Sequence, residues 1–232
     1  MWQQDFSVEE KRGVYRAIYE RRDVRSQFLP DPVPPEVLGR ILDAAHHAPS
    51  VGFMQPWDFI VIQERAIRLA IHENFERANR NAAEVYDGER RLLYDHMKLA
   101  GILDAPVNLC VTCDRGRQSG YGLGRQTDPA TDLYSTVCAV QNLWLAARAE
   151  SLGVGWVSII DLEELKSILD IPAQHIPVAY LCLGYVSEFR ERPDLEENGW
   201  EHRETLAKLI HFDRWGAQDE DRAAALFAKE NA

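Results

Sequence analysis

Apolar positions near the N-terminus recur at helical spacing. Residues 7–10, SVEE, have the form of a capping box, which predicts the start of a first helix. The apolar stripe of that helix consists of Val14, Tyr15, Ile18 and Tyr19. A second helix is predicted from about Pro35, after a proline-rich break at residues 28–32. Residues 64–103 predict a polar helical region.

The longest apolar stretch predicts a helix over residues 132–151. Its apolar residues cover nearly the whole circumference: Leu133, Tyr134, Val137, Cys138, Val140, Leu143, Trp144, Leu145 and Ala147. Because a helix that is apolar all round is buried on all sides, we expect it to lie between a sheet and a second subunit. Gly153 and Gly155 are expected to end it, since glycine suits the left-handed turn after a helix.

Four runs rich in apolar and β-branched residues predict strands. They cover residues 57–62, about 106–113, 155–160 and 177–186. The last run is almost continuously apolar, which is typical of a strand buried on both faces.

These elements predict one α+β domain over residues 1–232, without a linker or an internal repeat. The chain turns polar after Glu188, yet apolar residues recur beyond it: Trp200, Leu206, Leu209, Ile210, Phe212 and Trp215. We therefore expect a C-terminal extension, about residues 187–232, to pack on a dimer.

Composition narrows the classes of function. The formal net charge of −11 argues against a nucleic-acid partner, because an acidic surface repels phosphate. No apolar run predicts a membrane span, and no signal peptide is recognisable. Cys110 and Cys113 lie in a strand-like run, where positions three apart face opposite sides, so we expect core cysteines in a reducing, cytoplasmic setting. No cluster has metal-ligand spacing, so no metal is expected.

Residues 21–25 read RRDVR and carry a local excess of positive charge in an acidic chain. Guanidinium groups bind phosphate through planar, often bidentate hydrogen bonds. One interpretation is that Arg21, Arg22 and Arg25 hold a phosphorylated cofactor and present Asp23 to its reactive end. The alternative is a solvated helix end whose charges pair locally.

Two further segments are candidates for a binding site. Residues 48–57 form a loop with glycine and proline whose backbone could approach a flat ligand closely, or an ordinary helix-to-strand connection. The polar region 64–103 could cover such a site, with Lys98 in its last part or simply solvated. The long glycine-bearing loop at 114–131 is typical of functional loops, and Arg125 within it is a candidate anion contact.

Taken together, several motifs resemble the nitroreductase-like flavoproteins. They are RRDVR at 21–25, APSVGFMQPW at 48–57, DLYSTVCAVQNLW at 132–144 and VGWVS at 154–158. The resemblance covers roughly residues 7–216. It implies an α+β fold with a central mixed sheet flanked by helices and a long buried central helix. It also implies a homodimer that holds flavin mononucleotide, FMN, at the subunit interface.

The motifs are most similar to a branch of that family that forms 5,6-dimethylbenzimidazole, the lower ligand of vitamin B12. The resemblance implies that reduced FMN is consumed as substrate with dioxygen as co-substrate, and that erythrose 4-phosphate is the second product. A separate flavin reductase would supply the reduced FMN. Ordinary nitroreductases usually carry serine or another small residue where this chain has Asp23.

The resemblance also assigns roles to individual residues. Asp23 and Ser158 would be catalytic, and both would also contact the flavin. The remaining flavin contacts would be Arg21, Arg22, Val24, Arg25, Pro49, Ser50, Gln55 and Lys98. Among three arginines the pKa of Asp23 is expected to be lowered, so that the carboxyl begins as a base.

Two other functions remain open on the sequence. An NAD(P)H-dependent nitro- or enone reductase would cycle the flavin without consuming it. A non-enzymatic flavin-binding or storage protein would need the arginines as well. Neither of these functions needs Asp23.

Overall fold

The computed structural model describes residues 5–227. Its α-helices are α1 Val8–Glu20, α2 Pro35–His46, α3 Arg65–Ala83, α4 Gly88–His96, α5 Thr131–Ala149, α6 Leu162–Ile168, α7 Asp194–Glu197 and α8 Glu220–Ala225. Its strands are β1 Trp57–Ile62, β2 Val107–Asp114, β3 Leu152–Val157 and β4 His175–Tyr185. Short 3-10 helices lie at Val51–Phe53, Ser119–Gly122 and Leu206–Leu209. The expected α+β class is confirmed.

The four strands form one sheet in the order β1-β2-β4-β3. All three pairings between these strands are antiparallel, so the expectation of a mixed sheet is wrong for the strands that the structure describes. Within residues 5–227, parallel pairing is limited to an isolated bridge between Asp23 and Val154. The segment from α1 runs beside β3 only for this short distance, which is too little to make a fifth strand.

Each face of the sheet carries its own hydrophobic core. On one face Leu109 and Val111 pack with α2 and α5, whereas Cys110 between them belongs to the core on the other face, with α3 and α6. This alternation follows from the period of two in a strand. Burial raises the pKa of the Cys110 thiol to about 12. All four cysteines are free thiols, and Cys110 and Cys113, which were predicted to lie in the core, are both buried.

Helix α5 packs against α1, α2 and the sheet. Its buried face includes Ala139, Leu143 and Ala147, each with no exposed surface. Tyr134 and Val137 remain 58% and 43% exposed, so part of the apolar circumference is uncovered in the single chain. The expected second subunit against this side stays a prediction.

The glycines expected to end α5 lie instead inside β3. The left-handed turn after the helix is taken by Ser151, with φ +63°. Gly155 is required elsewhere, because a Cβ built on it would lie 2.0 Å from the carbonyl oxygen of Val24. Gly153 would meet a Val186 methyl at 2.5 Å. Close approach of neighbouring chain therefore explains these glycines.

The described chain divides into two compact units, residues 5–194 and 195–227. In the second unit, the Arg222 guanidinium lies 4.0 Å from the centre of the Phe212 ring, and the rings of His211 and Trp215 lie 4.4 Å apart. The expectation of one domain whose C-terminal extension packs on a dimer stays a prediction. Within residues 5–227, no helix is both long and apolar enough to cross a membrane.

Candidate functional site

The arginine stretch leaves α1 in an extended conformation and runs onto the edge of β3. Arg21 caps α1, and the Val24 N–H donates to the Val154 carbonyl at 2.9 Å. The indole N–H of Trp144 donates to the Arg22 carbonyl at 3.2 Å, which ties the stretch to α5. The sheet and the central helix together therefore fix the position of residue 23.

Asp23 is held at both carboxylate oxygens. The backbone N–H of Trp156 donates to Oδ1 at 2.9 Å, and Arg25 Nη2 donates to Oδ2 at 2.6 Å. Burial raises the pKa of Asp23, and this effect outweighs the lowering by Arg25, by the Trp156 N–H and by Arg21. The expectation of a lowered pKa is therefore wrong. Desolvation of the carboxylate exceeds the attraction of the arginines.

The three arginines have different surroundings. The Arg21 guanidinium lies 5.2 Å from the centre of the Trp144 ring and makes no side-chain hydrogen bond or ion pair within residues 5–227. Arg22 donates to the Tyr19 and Arg21 carbonyls at 2.9 and 2.7 Å, and to the Glu191 carbonyl. The Nε atoms of Arg22 and Arg25 are buried without a hydrogen-bond partner in the part of the chain that the structure describes. Unused donors thus remain on all three guanidinium groups.

The loop between α2 and β1 is held in an unusual backbone conformation. Gly52, Phe53 and Gln55 have φ of +62°, +53° and +50°. The Gln55 N–H donates to Ser50 Oγ at 3.1 Å. The Val51 N–H donates to Ser135 Oγ at 3.1 Å, which anchors the loop to α5. Left-handed non-glycine residues cluster at binding sites, where the surrounding structure enforces them.

Ser158 follows the last residue of β3 and is exposed. It lies on the wall of a cavity of about 280 Å³. The other lining residues are predominantly apolar: Trp156, Val157, Ile160, Leu162, Leu165, Pro177, Val178, Ala179 and Tyr180. The Trp156 backbone that binds Asp23 is two residues before Ser158, so both predicted catalytic residues lie near the C-terminal end of β3, although Asp23 does not line this cavity.

Not every predicted contact residue is part of this arrangement. Pro49 is exposed at the start of the α2–β1 loop. Lys98 lies between α4 and β2, where its Nζ pairs with Asp104 Oδ2 at 2.6 Å. Arg125, the candidate anion contact, points its Nη1 at the Arg115 carbonyl and the Met54 sulfur, at 3.3 and 3.6 Å. Contact of any of these three with a ligand stays a prediction.

Sequence reasoning missed three residues that organise the site. Trp144 and Trp156 contact the arginine stretch through an indole N–H and a backbone N–H. Arg117 donates to the Gln55 carbonyl at 2.6 Å and pairs with Asp58. Each of the three carries a sequence signal, because Trp144 and Trp156 lie in the motifs at 132–144 and 154–158 and Arg117 lies in the long loop at 114–131. The partner of Arg117, however, is 62 residues away in the chain.

Comparisons with known proteins show what this chain is similar to in sequence. The model of the nitroreductase family matches residues 18–185. The chain is 45% identical over 183 residues to the 5,6-dimethylbenzimidazole synthase of Rhodospirillum rubrum, which covers 79% of this chain and 86% of that protein. Identity to the enzyme of the same name from Rhodobacter capsulatus is 40% over 181 residues, with 78% and 87% covered.

A solved structure shows the same fold. The crystal structure of oxidised iodotyrosine deiodinase bound to FMN and 3-iodo-L-tyrosine aligns with a TM-score of 0.68 and 22% identity. The alignment covers 86% of this chain and all of that one.

Proposed function

We propose, from the premise that this chain belongs to the nitroreductase family, that it is a flavin enzyme of the 5,6-dimethylbenzimidazole synthase type. In this reaction dioxygen and reduced FMN give 5,6-dimethylbenzimidazole and erythrose 4-phosphate. Relatives with that name match most of the chain at 40–45% identity. The observation that carries the proposal is the position of Asp23, a carboxyl with a raised pKa anchored on the backbone of β3.

The arginine stretch fits the phosphate end of FMN. Arg21 has a guanidinium without a hydrogen bond among the described residues, and Arg22 and Arg25 each retain a buried, unused Nε. An anion that accepts from these donors would relieve the cost of burying unpartnered polar groups. When bound, reduced FMN would supply the ring that reacts with dioxygen and is consumed.

Asp23 is suited to move protons in both directions. Since burial raises the pKa of Asp23, the carboxyl holds a proton at a higher pH than a solvated aspartate would. A group whose pKa lies nearer the working pH can accept a proton in one step and return it in another. The hydrogen bonds from Trp156 and Arg25 orient the carboxyl while it does so.

The remaining predicted residues would bind and orient the flavin. Ser158, exposed at the end of β3, would hold the reacting groups in place by hydrogen bonds rather than attack them. Pro49, Ser50 and Gln55 would line the flavin from the α2–β1 loop. Lys98 would reach it from the polar region formed by α3 and α4, after release from Asp104.

A homodimer and a separate source of reduced FMN complete the proposal. On α1, Val14, Tyr15 and Tyr19 are 51–70% exposed, and on α5 Tyr134 is 58% exposed. A second copy of the chain would cover these apolar side chains, and obligate interfaces of this kind bury on the order of 2,000 Å² or more. Reduced FMN would come from a flavin reductase.

One mixing experiment tests the function. FMN is reduced without air, protein is added, air is admitted, and the products are separated by chromatography. We expect 5,6-dimethylbenzimidazole in proportion to the FMN lost. Flavin that returns intact, with NAD(P)H-dependent turnover of nitro compounds, would instead identify a reductase. Intact flavin without turnover would identify a binding protein.

A further inference from the structure

Arg117 connects the α2–β1 loop to the adjacent ends of β1 and β2. Its Nη2 donates to both carboxylate oxygens of Asp58, at 2.9 and 3.0 Å, and its Nε lies 3.5 Å from Asp114 Oδ2. Its Nη1 donates to the Gln55 carbonyl at 2.6 Å and lies 3.5 Å from the Trp57 carbonyl. The guanidinium therefore uses each of its three nitrogens on residues of this loop or of the strand ends beside it.

Gln55 is the residue in this set whose conformation needs support. Its φ of +50° is disfavoured for a residue with a Cβ, which would relax unless the surroundings hold it. Two backbone hydrogen bonds hold it from opposite sides. The Gln55 N–H donates to Ser50 Oγ at 3.1 Å, and the Gln55 carbonyl accepts from Arg117.

The same loop is also in tight backbone contact with the loop that carries Arg117. A Cβ on Gly120 would lie 2.0 Å from the Gly52 carbonyl oxygen, and one on Gly124 would lie 2.4 Å from a Val51 methyl. Movement of the Arg117 loop would therefore be transmitted directly to residues 51–55.

We propose that Arg117 is a positioning residue for the flavin, and that it acts by holding the left-handed conformation of Gln55. This inference rests on the proposed function only in taking FMN as the ligand of the α2–β1 loop. Through Gln55, Arg117 fixes the spacing between Ser50 and Gln55, the two polar side chains that this loop offers to the ring. Arg117 itself does not contact the flavin.

The test is a double-variant cycle on FMN affinity. Oxidised FMN is titrated into wild-type protein, Arg117→Met, Gln55→Asn and the double variant, with flavin fluorescence as the signal. Asparagine tolerates φ near +50° better than other non-glycine residues, so the Gln55→Asn background needs Arg117 less. We expect Arg117→Met to raise the Kd for FMN by about tenfold in the wild-type background and by less than about threefold in the Gln55→Asn background.

Two further variants keep the test decisive if Arg117→Met folds poorly. Arg117→Lys retains one charged donor for the Gln55 carbonyl, and Asp58→Asn retains an acceptor for Arg117 without the charge. Each is expected to raise the Kd by about threefold. Visible circular dichroism of bound FMN should change in Arg117→Met and return towards the wild-type spectrum in Arg117→Lys.

Arg40→Met is the matched control, because Arg40 also makes a bidentate pair, with Glu150 at 2.8 Å, but between α2 and α5. Its Kd for FMN should equal the wild-type value. An unchanged Kd in folded Arg117→Met, or an equal rise in both Gln55 backgrounds, would overturn the inference.

Amide hydrogen exchange of residues 50–56 in the protein without FMN separates this inference from the proposed function. We expect faster exchange of these amides in Arg117→Met than in Arg40→Met, whatever reaction the protein catalyses. If wild-type protein binds FMN but forms no 5,6-dimethylbenzimidazole, the proposed function is contradicted, but the role of Arg117 is not. If amide exchange of residues 50–56 is unchanged in Arg117→Met, the role of Arg117 is contradicted, but the proposed function is not.

Discussion

Two arginine-rich segments use the same side chain in different ways. In the loop after β2, Arg115 pairs with Asp132 at 2.6 Å and Arg117 with Asp58 at 2.9 Å. Within residues 5–227, Arg25 is the only one of the three arginines at positions 21–25 that pairs with a carboxylate, that of Asp23, and two buried Nε atoms have no hydrogen-bond partner. Arginines whose charge is matched by carboxylates build the scaffold, whereas the unmatched ones retain donors for an anion.

The partners of the two segments differ in burial as well. Asp132 has no exposed surface, so its charge depends on Arg115 and, at 4.0 Å, on Arg125. Asp23 retains 33% of its side-chain exposure, and its pKa is raised. The first segment should therefore contribute mainly to the stability of the fold and to the conformation of the α2–β1 loop, and the second mainly to direct binding and chemistry.

The largest effect is expected on stability, and it comes from the loop after β2 that carries Arg115 and Arg117, which we call the scaffold segment. Arg115→Met would leave Asp132 buried with only the more distant Arg125, and removal of one partner from a buried ion pair costs about 3 kcal/mol or more. Urea denaturation should show this loss in the free energy of unfolding. Arg21→Met, from the other segment, should change it by less than about 0.5 kcal/mol. Equal stabilities of the two variants would contradict the division.

The next effect is expected on chemistry. Asp23→Asn keeps the shape of the side chain and an acceptor for the Trp156 N–H but cannot take up a proton. Formation of 5,6-dimethylbenzimidazole should fall by at least about 10²-fold, the low end for a general acid–base group. Binding of reduced FMN should change little, and the flavin should be recovered intact after exposure to air. If Asp23→Asn fragments FMN at the wild-type rate, Asp23 is only an ion-pair partner of Arg25.

Ser158→Ala should show the same pattern as Asp23→Asn, because both residues are proposed to act on the same reacting groups. The loss of product, measured by chromatography, should be about 10-fold or more, as for one hydrogen bond to a charged group. If Ser158→Ala forms 5,6-dimethylbenzimidazole at the wild-type rate, Ser158 is an exposed residue after β3 without a role in the reaction.

Sequence patterns located the regular elements well and the electrostatics of the site poorly. The bounds predicted for β1 are confirmed, and those for β4 differ by one or two residues, since period and burial are local properties. The sequence predicts the wrong direction for the pKa of Asp23 chiefly because burial of the carboxyl, which local charge does not reveal, outweighs the arginines. Arginines close in sequence are also not equally close in space. Arg21 turns onto Trp144 and Arg22 onto backbone carbonyls, so only Arg25 bonds to Asp23.

Tertiary pairings explain the other differences. The sequence predicts a helix stop at Gly155 because its actual role, clearance for the Val24 carbonyl, depends on a segment 131 residues earlier. The role of Arg117 is not predictable from the sequence for the same reason, since nothing near it in the chain indicates Gln55 or Asp58. The unmatched arginines, by contrast, were recognisable from local charge alone.

A tenfold effect is expected on phosphate recognition. Arg21→Ala removes a guanidinium that makes no side-chain hydrogen bond within the described residues, so its loss should leave stability intact. One charge-assisted hydrogen bond contributes roughly 1.5–3 kcal/mol, which corresponds to about tenfold or more in the Kd for FMN. Riboflavin, which lacks the phosphate, should bind Arg21→Ala and wild-type protein equally well. Parallel losses for both ligands would rule out a phosphate contact.

The smallest effect is expected on the pH dependence of stability, and it comes from Asp23 itself. Its pKa is raised in the folded state from the ordinary value of 3.8, chiefly by burial. A folded state with the higher pKa binds the proton more tightly, so the stabilisation is fully present below pH 3.8. It is lost as the pH rises through the folded-state pKa.

Asp23→Asn removes this titration and should therefore gain stability over wild-type protein as the pH rises through that window. Thermal unfolding of both proteins without FMN, from pH 3.5 to 8, measures the difference in Tm. Asp31→Asn, at an exposed position, serves as the control. A difference that shrinks with rising pH would mean that Arg25 and the Trp156 N–H outweigh burial. The Asp23 carboxylate would then be a matched charge like those of the scaffold segment.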